Sequence, residues 1–222
     1  MPAYIKKFLA IICLVSMVNC LWAQHAFDRE VFVFKELDKK EQPPTGSILF
    51  TGSSSFTKWN NVQNDFPEHT ILNRAFGGSC ITDLIYFANE VILPYKPKQI
   101  VIYCGDNDLA SSDTVLAVEV RNRFVQLFNI IRKNLPQTHI LFVSIKPSPR
   151  REMLMPKMMA ANALIKNFIK KQVKAGYVDV FNKMLLPNRK ADPSIFLSDN
   201  LHMNQKGYAI WQNAIKPYLL KS

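Results

Sequence analysis

Short apolar runs alternate with longer segments of helical periodicity through most of this 222-residue chain. The runs have the length and composition of buried strands, and the segments between them end at proline or glycine. The predicted strands are Ser47–Thr51, Thr70–Arg74, Gln99–Cys104, His139–Ile145 and Tyr177–Phe181. Because strands that alternate with helices form a parallel sheet covered on both faces, the sequence predicts one α/β domain of three layers, α/β/α.

The helical segments show apolar residues at the spacing of one helix face. A short amphipathic helix is expected to run toward Lys40, before the first strand. The other main helices are predicted at about Cys80–Leu93, Asp113–Asn134, Pro156–Lys174 and Asn204–Leu220.

Polar or small residues follow three of the predicted strands. Ser54 comes after the first strand, Gly78 after the second and Asn107 after the third. Parallel strands place their carboxyl ends on one edge of the sheet, where open α/β folds carry their active sites. We therefore expect these three residues to lie close together.

The four histidines differ in the edge of the sheet that they can reach. His69 precedes the second strand and His139 begins the fourth, which places both at the amino edge, and His25 lies near the amino terminus. His202 alone lies in a loop that can reach the carboxyl edge. Asp199, three residues earlier, can accept a hydrogen bond from its Nδ1 atom. The alternative for this pair is a capped helix start with a surface histidine.

A serine, a histidine and an aspartate at one edge are the groups that acyl transfer uses. Ser54 follows a strand that ends at a glycine, and it begins a helix whose amino terminus favours a negatively charged oxygen. The backbone N–H groups of Ser54 and Gly78 and the side-chain amide of Asn107 can stabilise the oxyanion. The alternatives are a serine helix cap and an ordinary glycine turn.

Four short blocks carry these residues in order along the chain. They are Gly52–Ser54, Asn73–Gly78, Gly105–Asp108 and Asp199–His202. In order and spacing the sequence resembles the SGNH hydrolases, also called GDSL-type esterases and acylhydrolases. The resemblance covers roughly residues 46–220. One residue departs from the usual family pattern, because Ser53 stands where members usually have aspartate.

The resemblance implies a role for each residue and a fold for the chain. Ser54 is expected to be the nucleophile, and His202 and Asp199 the general base and its orienting carboxylate. Gly78 and Asn107, with Ser54 itself, are the expected oxyanion donors. The implied fold is a flavodoxin-like, doubly wound parallel sheet of five strands in the order 2-1-3-4-5.

The first 23 residues have the pattern of a secretory signal peptide. Lys6 and Lys7 precede an apolar run from Phe8 to Met17, and small or neutral residues follow as far as Ala23. The apolar stretch is short for a membrane span, which needs about 20 residues. The sequence therefore predicts an exported protein, periplasmic or extracellular, whose esterase domain covers residues 24–222. The alternatives are an uncleaved anchor and a lipoprotein.

A lipoprotein would carry its lipid on Cys20, although Asn19 fits poorly before a lipidated cysteine. Cys80 and Cys104 remain after the signal, and their apolar surroundings favour free thiols over a disulfide.

The formal net charge is +11. The lysines lie along helical segments without interleaved aromatic residues, which favours a solvated helix face over nucleic-acid binding.

The predicted function is a serine-dependent carboxylic-ester hydrolase that works through an acyl-enzyme. The expected substrate is a small-molecule, glycan or lipid ester, with a short acyl or acetyl group. No cofactor or metal is expected, because the two carboxylates of Gly105–Asp108 make a weak divalent site. Arg150 and Arg151 either meet an anionic substrate or face solvent. The alternative function is a catalytically idle glycan- or lipid-binding module on the same fold.

Overall fold

The structure, a computed structural model, describes residues 25–221. Within those residues the strands form one parallel sheet of five strands in the order β2-β1-β3-β4-β5, which confirms the predicted fold class and strand order. The strands are β1 (Ile48–Gly52), β2 (Ile71–Asn73), β3 (Gln99–Tyr103), β4 (His139–Val143) and β5 (Ala175–Val178).

Helices cover both faces of the sheet. The α-helices are α1 (Asp28–Lys40), α2 (Ser54–Thr57), α3 (Val62–Asp65), α4 (Ile81–Tyr86), α5 (Ala88–Val91), α6 (Asp106–Ala110), α7 (Ala117–Asn134), α8 (Met155–Ile169) and α9 (Gln205–Ile215). Short 3₁₀ helices lie at Leu93–Tyr95, Pro149–Leu154, Asn182–Met184, Pro193–Ile195 and Lys216–Tyr218.

The strand side chains alternate between two apolar cores. In β3, Ile100 and Ile102 pack with α4, α5, α7 and α8, whereas Val101 and Tyr103 pack with α2, α3 and α9. All four side chains are fully buried. A strand buried on both faces needs apolar residues at every position, which explains why the sequence shows continuous apolar runs without polar alternation.

The bounds of the predicted elements differ from those in the structure by a few residues, and three of the differences have a visible physical cause. The predicted strand Tyr177–Phe181 ends earlier, at Val178, because the N–H groups of Val180 and Phe181 donate to the Ser144 hydroxyl instead of to a neighbouring strand. The predicted helix Cys80–Leu93 is divided at Phe87, whose φ of −94° and ψ of 14° are not helical.

The third difference concerns α8, which ends at Ile169 rather than near Lys174. The Arg132 guanidinium donates to the carbonyl oxygens of Val173 and Lys174, each at 3.1 Å. Those carbonyls are therefore held in a turn against α7, and the chain enters β5 directly.

The helix α1 is joined to the body of the domain by an ion pair. Asp38 on α1 pairs with Arg74, which follows β2, and Asp38 also accepts a hydrogen bond of 2.6 Å from the Tyr95 hydroxyl. The Arg74 guanidinium also lies over the ring of Phe34. These contacts place α1 beside the carboxyl end of β2.

The predicted signal peptide, residues 1–23 with Cys20, lies outside the described residues. None of the helices within residues 25–221 is both long and apolar enough to cross a membrane. Cys80 and Cys104 are both free, as the sequence predicts. The Cys104 thiol donates to the carbonyl oxygen of Ser79 at 3.3 Å, which satisfies a polar group in the loop after β2.

Candidate active site

Ser54 is the first residue of α2 and lies at the carboxyl edge of β1. The turn before it depends on Gly52, whose φ is +137°. A Cβ atom on Gly52 would lie 1.9 Å from the carbonyl oxygen of Tyr103 in β3, a distance that no side chain tolerates. The Ser53 N–H donates to that same carbonyl at 3.0 Å. This close approach directs the chain out of the sheet immediately before Ser54.

The structure brings His202 and Asp199 to Ser54. The Nε2 atom of His202 lies 3.1 Å from the Ser54 hydroxyl oxygen, and its Nδ1 atom lies 2.6 Å from Oδ2 of Asp199. Because a carboxylate only accepts, Nδ1 carries the proton and Nε2 accepts from the serine hydroxyl. The three side chains therefore form a hydrogen-bonded chain with the arrangement expected of a nucleophile, a base and an orienting carboxylate.

Asp199 is held in its ionised form by hydrogen bonds. The His202 ring donates to one carboxylate oxygen, and the N–H groups of His202 and Leu201 donate to the other at 2.9 Å each. These hydrogen bonds, the imidazole's first, hold the pKa of Asp199 well below its usual range. The depressed pKa keeps Asp199 ionised, and therefore a hydrogen-bond acceptor, at neutral pH.

Lys146 binds the loop that carries Asp199 and His202. Its ammonium donates to the carbonyl oxygen of Leu201 at 2.8 Å, and the residue is only 2% exposed. Burial lowers the pKa of Lys146 to about 8, although the charges of Asp106 and Asp199 oppose that shift. The sequence pattern did not predict a role for Lys146, and its one available signal was a lysine directly after the apolar run His139–Ile145.

The loop after β2 lies against Ser54. A Cβ atom on Gly77 would be 3.7 Å from the Cβ of Ser54, and Gly78 has a φ of +91°, a conformation that favours glycine. Within residues 25–221 the backbone N–H groups of Ser54 and Gly78 donate to no protein acceptor. Both predicted backbone donors are therefore free to bind an oxygen of a ligand.

Asn107 lies at the same edge but already uses its amide. Its Nδ2 atom donates to the Ser53 hydroxyl at 2.7 Å and to the carbonyl oxygen of Ser79 at 3.1 Å. Its Oδ1 atom accepts from Arg151 at 2.8 Å. The predicted oxyanion donor thus contacts the residue before Ser54, and an incoming oxygen would have to replace the Ser53 hydroxyl as its acceptor.

The two carboxylates near Asn107 are each paired with an arginine. Asp106 accepts from Arg151 and Asp108 from Arg123, both at 2.8 Å. Arg151, which the sequence left as either a substrate contact or a solvated residue, therefore belongs to this cluster. Among the described residues, no group of three or more His, Cys, Asp and Glu side chains could hold a metal ion.

The other histidines lie where the sequence predicts. His139 pairs with Gln99 at the beginning of β4 and β3, and His69 precedes β2, so both are at the amino edge. Of the described histidines, His202 alone reaches Ser54.

A cavity of about 550 Å³ opens beside Ser54. Its walls come from α1, from α2 and the residue after it, and from the loop after β2. The lining residues are Arg29, Glu30, Val33, Phe34, Ser54, Thr57, Lys58, Ala75, Phe76 and Gly77. The sequence predicted α1 but not its place beside the nucleophile, because that place depends on the ion pair between α1 and the segment after β2.

Several solved structures share this fold. A proposed platelet activating factor from Streptococcus pneumonia is 20% identical, with a TM-score of 0.77 over 95% of this chain and 99% of that one. A GDSL-like lipase from Bacteroides thetaiotaomicron is 18% identical, with a TM-score of 0.73 over 85% and 96% of the two chains.

A variant of an acetyl xylan esterase from Geobacillus stearothermophilus is 15% identical, with a TM-score of 0.63 over 80% of this chain and 98% of that one. A catalytic mutant of that esterase, in which a serine is replaced by alanine, also matches, with a TM-score of 0.61. At these identities the similarity shows a common fold. No curated protein sequence matches the chain.

The sequence pattern of the GDSL-like Lipase/Acylhydrolase family matches residues 45–210. The matched region contains all the predicted site residues, namely Ser54, Gly78, Asn107, Asp199 and His202. The match covers well over half of the chain and agrees with the sheet order and with the fold of the structural relatives. The protein therefore belongs to the GDSL-like lipase/acylhydrolase family, the SGNH hydrolases, whose members hydrolyse esters.

Proposed function

We propose that this protein hydrolyses carboxylic esters through an acyl-enzyme formed on Ser54. The observation that carries the proposal is the 3.1 Å contact between the Ser54 hydroxyl and Nε2 of His202, with Asp199 on the other ring nitrogen. A serine hydroxyl is a weak nucleophile unless a base takes its proton, and His202 is placed to do so.

In the proposed mechanism the Ser54 oxygen attacks the ester carbonyl carbon while its proton passes to His202. The carbonyl oxygen becomes an oxyanion, which the N–H groups of Ser54 and Gly78 stabilise. When the intermediate collapses, the C–O bond to the alcohol breaks and His202 returns the proton to the departing oxygen. Water then attacks the acyl-enzyme by the same steps, with His202 again as base.

Asn107 is the proposed third donor to the oxyanion. One of its amide hydrogens is bound to the neutral Ser53 hydroxyl in the structure. A negatively charged oxygen is a stronger acceptor than a hydroxyl, so this hydrogen can turn to the oxyanion as charge develops. The contact then forms mainly in the transition state, which is where a donor accelerates the reaction.

The cavity beside Ser54 is the proposed site of the acyl group, which we propose to be short. Val33, Phe34, Ala75 and Phe76 give it largely apolar walls, and its volume falls in the range of small-molecule sites, about 300–1,000 Å³. The alcohol is proposed to be a carbohydrate or lipid. Acetyl xylan esterase and lipase among the structural relatives are consistent with both classes.

The competing proposal is a binding module without activity, and a labelling experiment separates the two. An aryl ester assay and a fluorophosphonate label should both report on Ser54, with Ser54→Ala inactive and unlabelled. Ser55→Ala is the matched control, because Ser55 is buried and the neighbouring residue in α2. A protein that binds esters but neither turns them over nor accepts the label would support the binding module.

We also propose that the protein is exported, with residues 1–23 as its signal peptide. The basic residues Lys6 and Lys7 before a short apolar run support this proposal. Mass measurement of the protein purified from its native cells tests it. A mature chain beginning near residue 24 is expected, whereas a lipidated Cys20 at the amino terminus would indicate a lipoprotein.

A further inference from the structure

We propose that Arg151 is a positioning residue that fixes the orientation of the Asn107 amide, so that its N–H groups face the nucleophile. The inference rests on the proposed function, because the orientation of Asn107 matters when its amide binds the oxyanion. Arg151 lies 44 residues from Asn107 in the sequence, and the two meet through a hydrogen bond of 2.8 Å.

Two neighbours of Asn107 distinguish its oxygen from its nitrogen. The Arg151 guanidinium can only donate, and it faces Oδ1, whereas the carbonyl oxygen of Ser79 can only accept, and it faces Nδ2. A reversed amide would place its NH₂ group against the guanidinium and its oxygen against the carbonyl. Both contacts would then be repulsive, the Arg151 Nη2 group would lose its acceptor, and the Ser79 carbonyl oxygen would keep only the Cys104 thiol as a donor.

The third neighbour, Ser53, does not distinguish the two orientations. Its hydroxyl accepts from Nδ2 in the structure, but a hydroxyl can equally donate to an oxygen by rotating its hydrogen. Without Arg151, the Ser79 carbonyl alone would hold the amide in the productive orientation. The reversed amide would present its oxygen to the region of Ser53 and Ser54, where it would repel an oxyanion.

Arg151 is itself held by a second contact. Its other terminal nitrogen donates to Oδ2 of Asp106 at 2.8 Å, so one guanidinium contacts two successive residues, Asp106 and Asn107. The side chain of Arg151 is 16% exposed and that of Asp106 is 6% exposed. A planar fork can make both contacts at once, and a lysine ammonium lacks that geometry.

The guanidinium also has an electrostatic effect on the amide. A positive charge at Oδ1 withdraws electron density from the amide and makes its N–H groups stronger donors, as in other chains of hydrogen bonds. Arg151 therefore acts on the oxyanion through Asn107 and touches no reacting atom itself.

The test is a double-mutant cycle between Arg151 and Asn107, measured as kcat and KM on an aryl ester. Arg151→Met and Arg151→Lys should each lower kcat by roughly 10–100-fold, below the loss of about 10²–10³ expected for removing the donor itself, with KM little changed. In the Asn107→Ala background the same Arg151 changes should have little further effect, because the residue through which they act is absent.

Arg189→Met is the control, since Arg189 is exposed and lies in a different loop. It should leave kcat unchanged in both backgrounds. If Arg151→Met lowered kcat as much in the Asn107→Ala background as in the wild type, or changed only KM, the positioning role would be wrong. Arg151→Lys keeps the charge, so it decides the question if the methionine variant does not fold.

A second readout does not need activity. The side-chain amide of Asn107, identified by the NMR signal pair that Asn107→Ala removes, should shift in the Arg151 variants and stay in place in Arg189→Met. A wild-type protein that hydrolyses no ester would refute the proposed function, while this signal would still decide whether Arg151 positions the amide. An unchanged signal in both Arg151 variants would refute the positioning.

Discussion

The ammonium of Lys146 lies 2.8 Å from the carbonyl oxygen of Leu201, the residue immediately before His202. Lys146 follows β4 in the sequence and is buried, and its ammonium lies against the face of the Phe196 ring. The fold therefore keeps a cation in its interior to hold the segment that carries the general base. A buried charge is costly to keep, so its contribution can be measured.

Replacing Lys146 by methionine should change how stability depends on pH. The folded pKa is about 8 against an ordinary value of 10.5, so between these values the unfolded chain binds more protons than the folded one. Wild-type stability should therefore rise with pH in this window relative to the variant, by up to about 3 kcal/mol. Urea unfolding at pH 7 and pH 10 measures it.

Lys170→Met, at an exposed position after α8, is the control for that experiment. Its difference in stability from the wild type should not change between pH 7 and pH 10. The Lys146→Met protein should also lose kcat, because the loop with Asp199 and His202 loses an anchor. An equal stability difference at both pH values would contradict the assignment of the buried charge.

Asp199→Asn should lower kcat by roughly 10²–10⁴-fold while the protein remains folded. The asparagine can donate to Nδ1 of His202 and so permit the unproductive tautomer, in which Nε2 carries the proton and cannot accept from Ser54. The pKa of Asp199 is depressed, so its stabilising effect is present above its unfolded pKa and is lost as pH falls below it. Thermal unfolding should therefore separate wild type from variant more at pH 7 than at pH 3.

Gly78→Ala should reduce activity beyond its effect on stability. A Cβ at a φ of +91° strains the backbone by about 1–2 kcal/mol and should rotate the N–H group that we propose as an oxyanion donor. Gly46→Ala is a matched control, because Gly46 has a φ of +70° and open space around it. Both variants should lose similar stability by urea unfolding, and Gly78→Ala alone should lose kcat. Equal activities would contradict the role of Gly78.

Val33→Trp should shift the preference of the enzyme toward acetyl esters. Val33 projects from α1 into the cavity beside Ser54, and an indole there would fill much of the space for a longer acyl chain. The measurement is kcat/KM for acetyl, butyryl and hexanoyl aryl esters. Phe32→Trp, at an exposed position on the same helix, should leave the preference unchanged.

The sequence was sufficient to predict the sheet and the three residues of the hydrogen-bonded chain, namely Ser54, His202 and Asp199. Apolar runs marked the strands, and the position after the first strand placed Ser54 at the carboxyl edge. The amino-edge positions of His69 and His139 left His202 as the histidine that could reach it. The order of the four sequence blocks resembles that of the SGNH hydrolases, and this resemblance predicted the role of each site residue. These features are local or follow from the regular geometry of a parallel sheet.

Contacts between distant loops could not be predicted in this way. Arg151 meets Asn107, and Lys146 meets Leu201, through loops whose conformations depend on turns and buried hydrogen bonds. The spacing of apolar residues along the sequence does not indicate which residues of two distant loops meet. The division of a predicted helix at Phe87 has the same origin, since tertiary packing overrides local propensity there.

The helix α1 lies outside the sheet that carries the catalytic groups, and a connection containing Pro43 and Pro44 joins it to β1. It nevertheless forms one wall of the cavity at Ser54. If the acyl group binds in this cavity, as we propose, a different helix at this place would alter the acyl groups accepted while leaving Ser54, His202 and Asp199 in place. The proposed acyl site and the proposed catalytic groups thus lie partly on separable stretches of the chain, which allows each to diverge on its own.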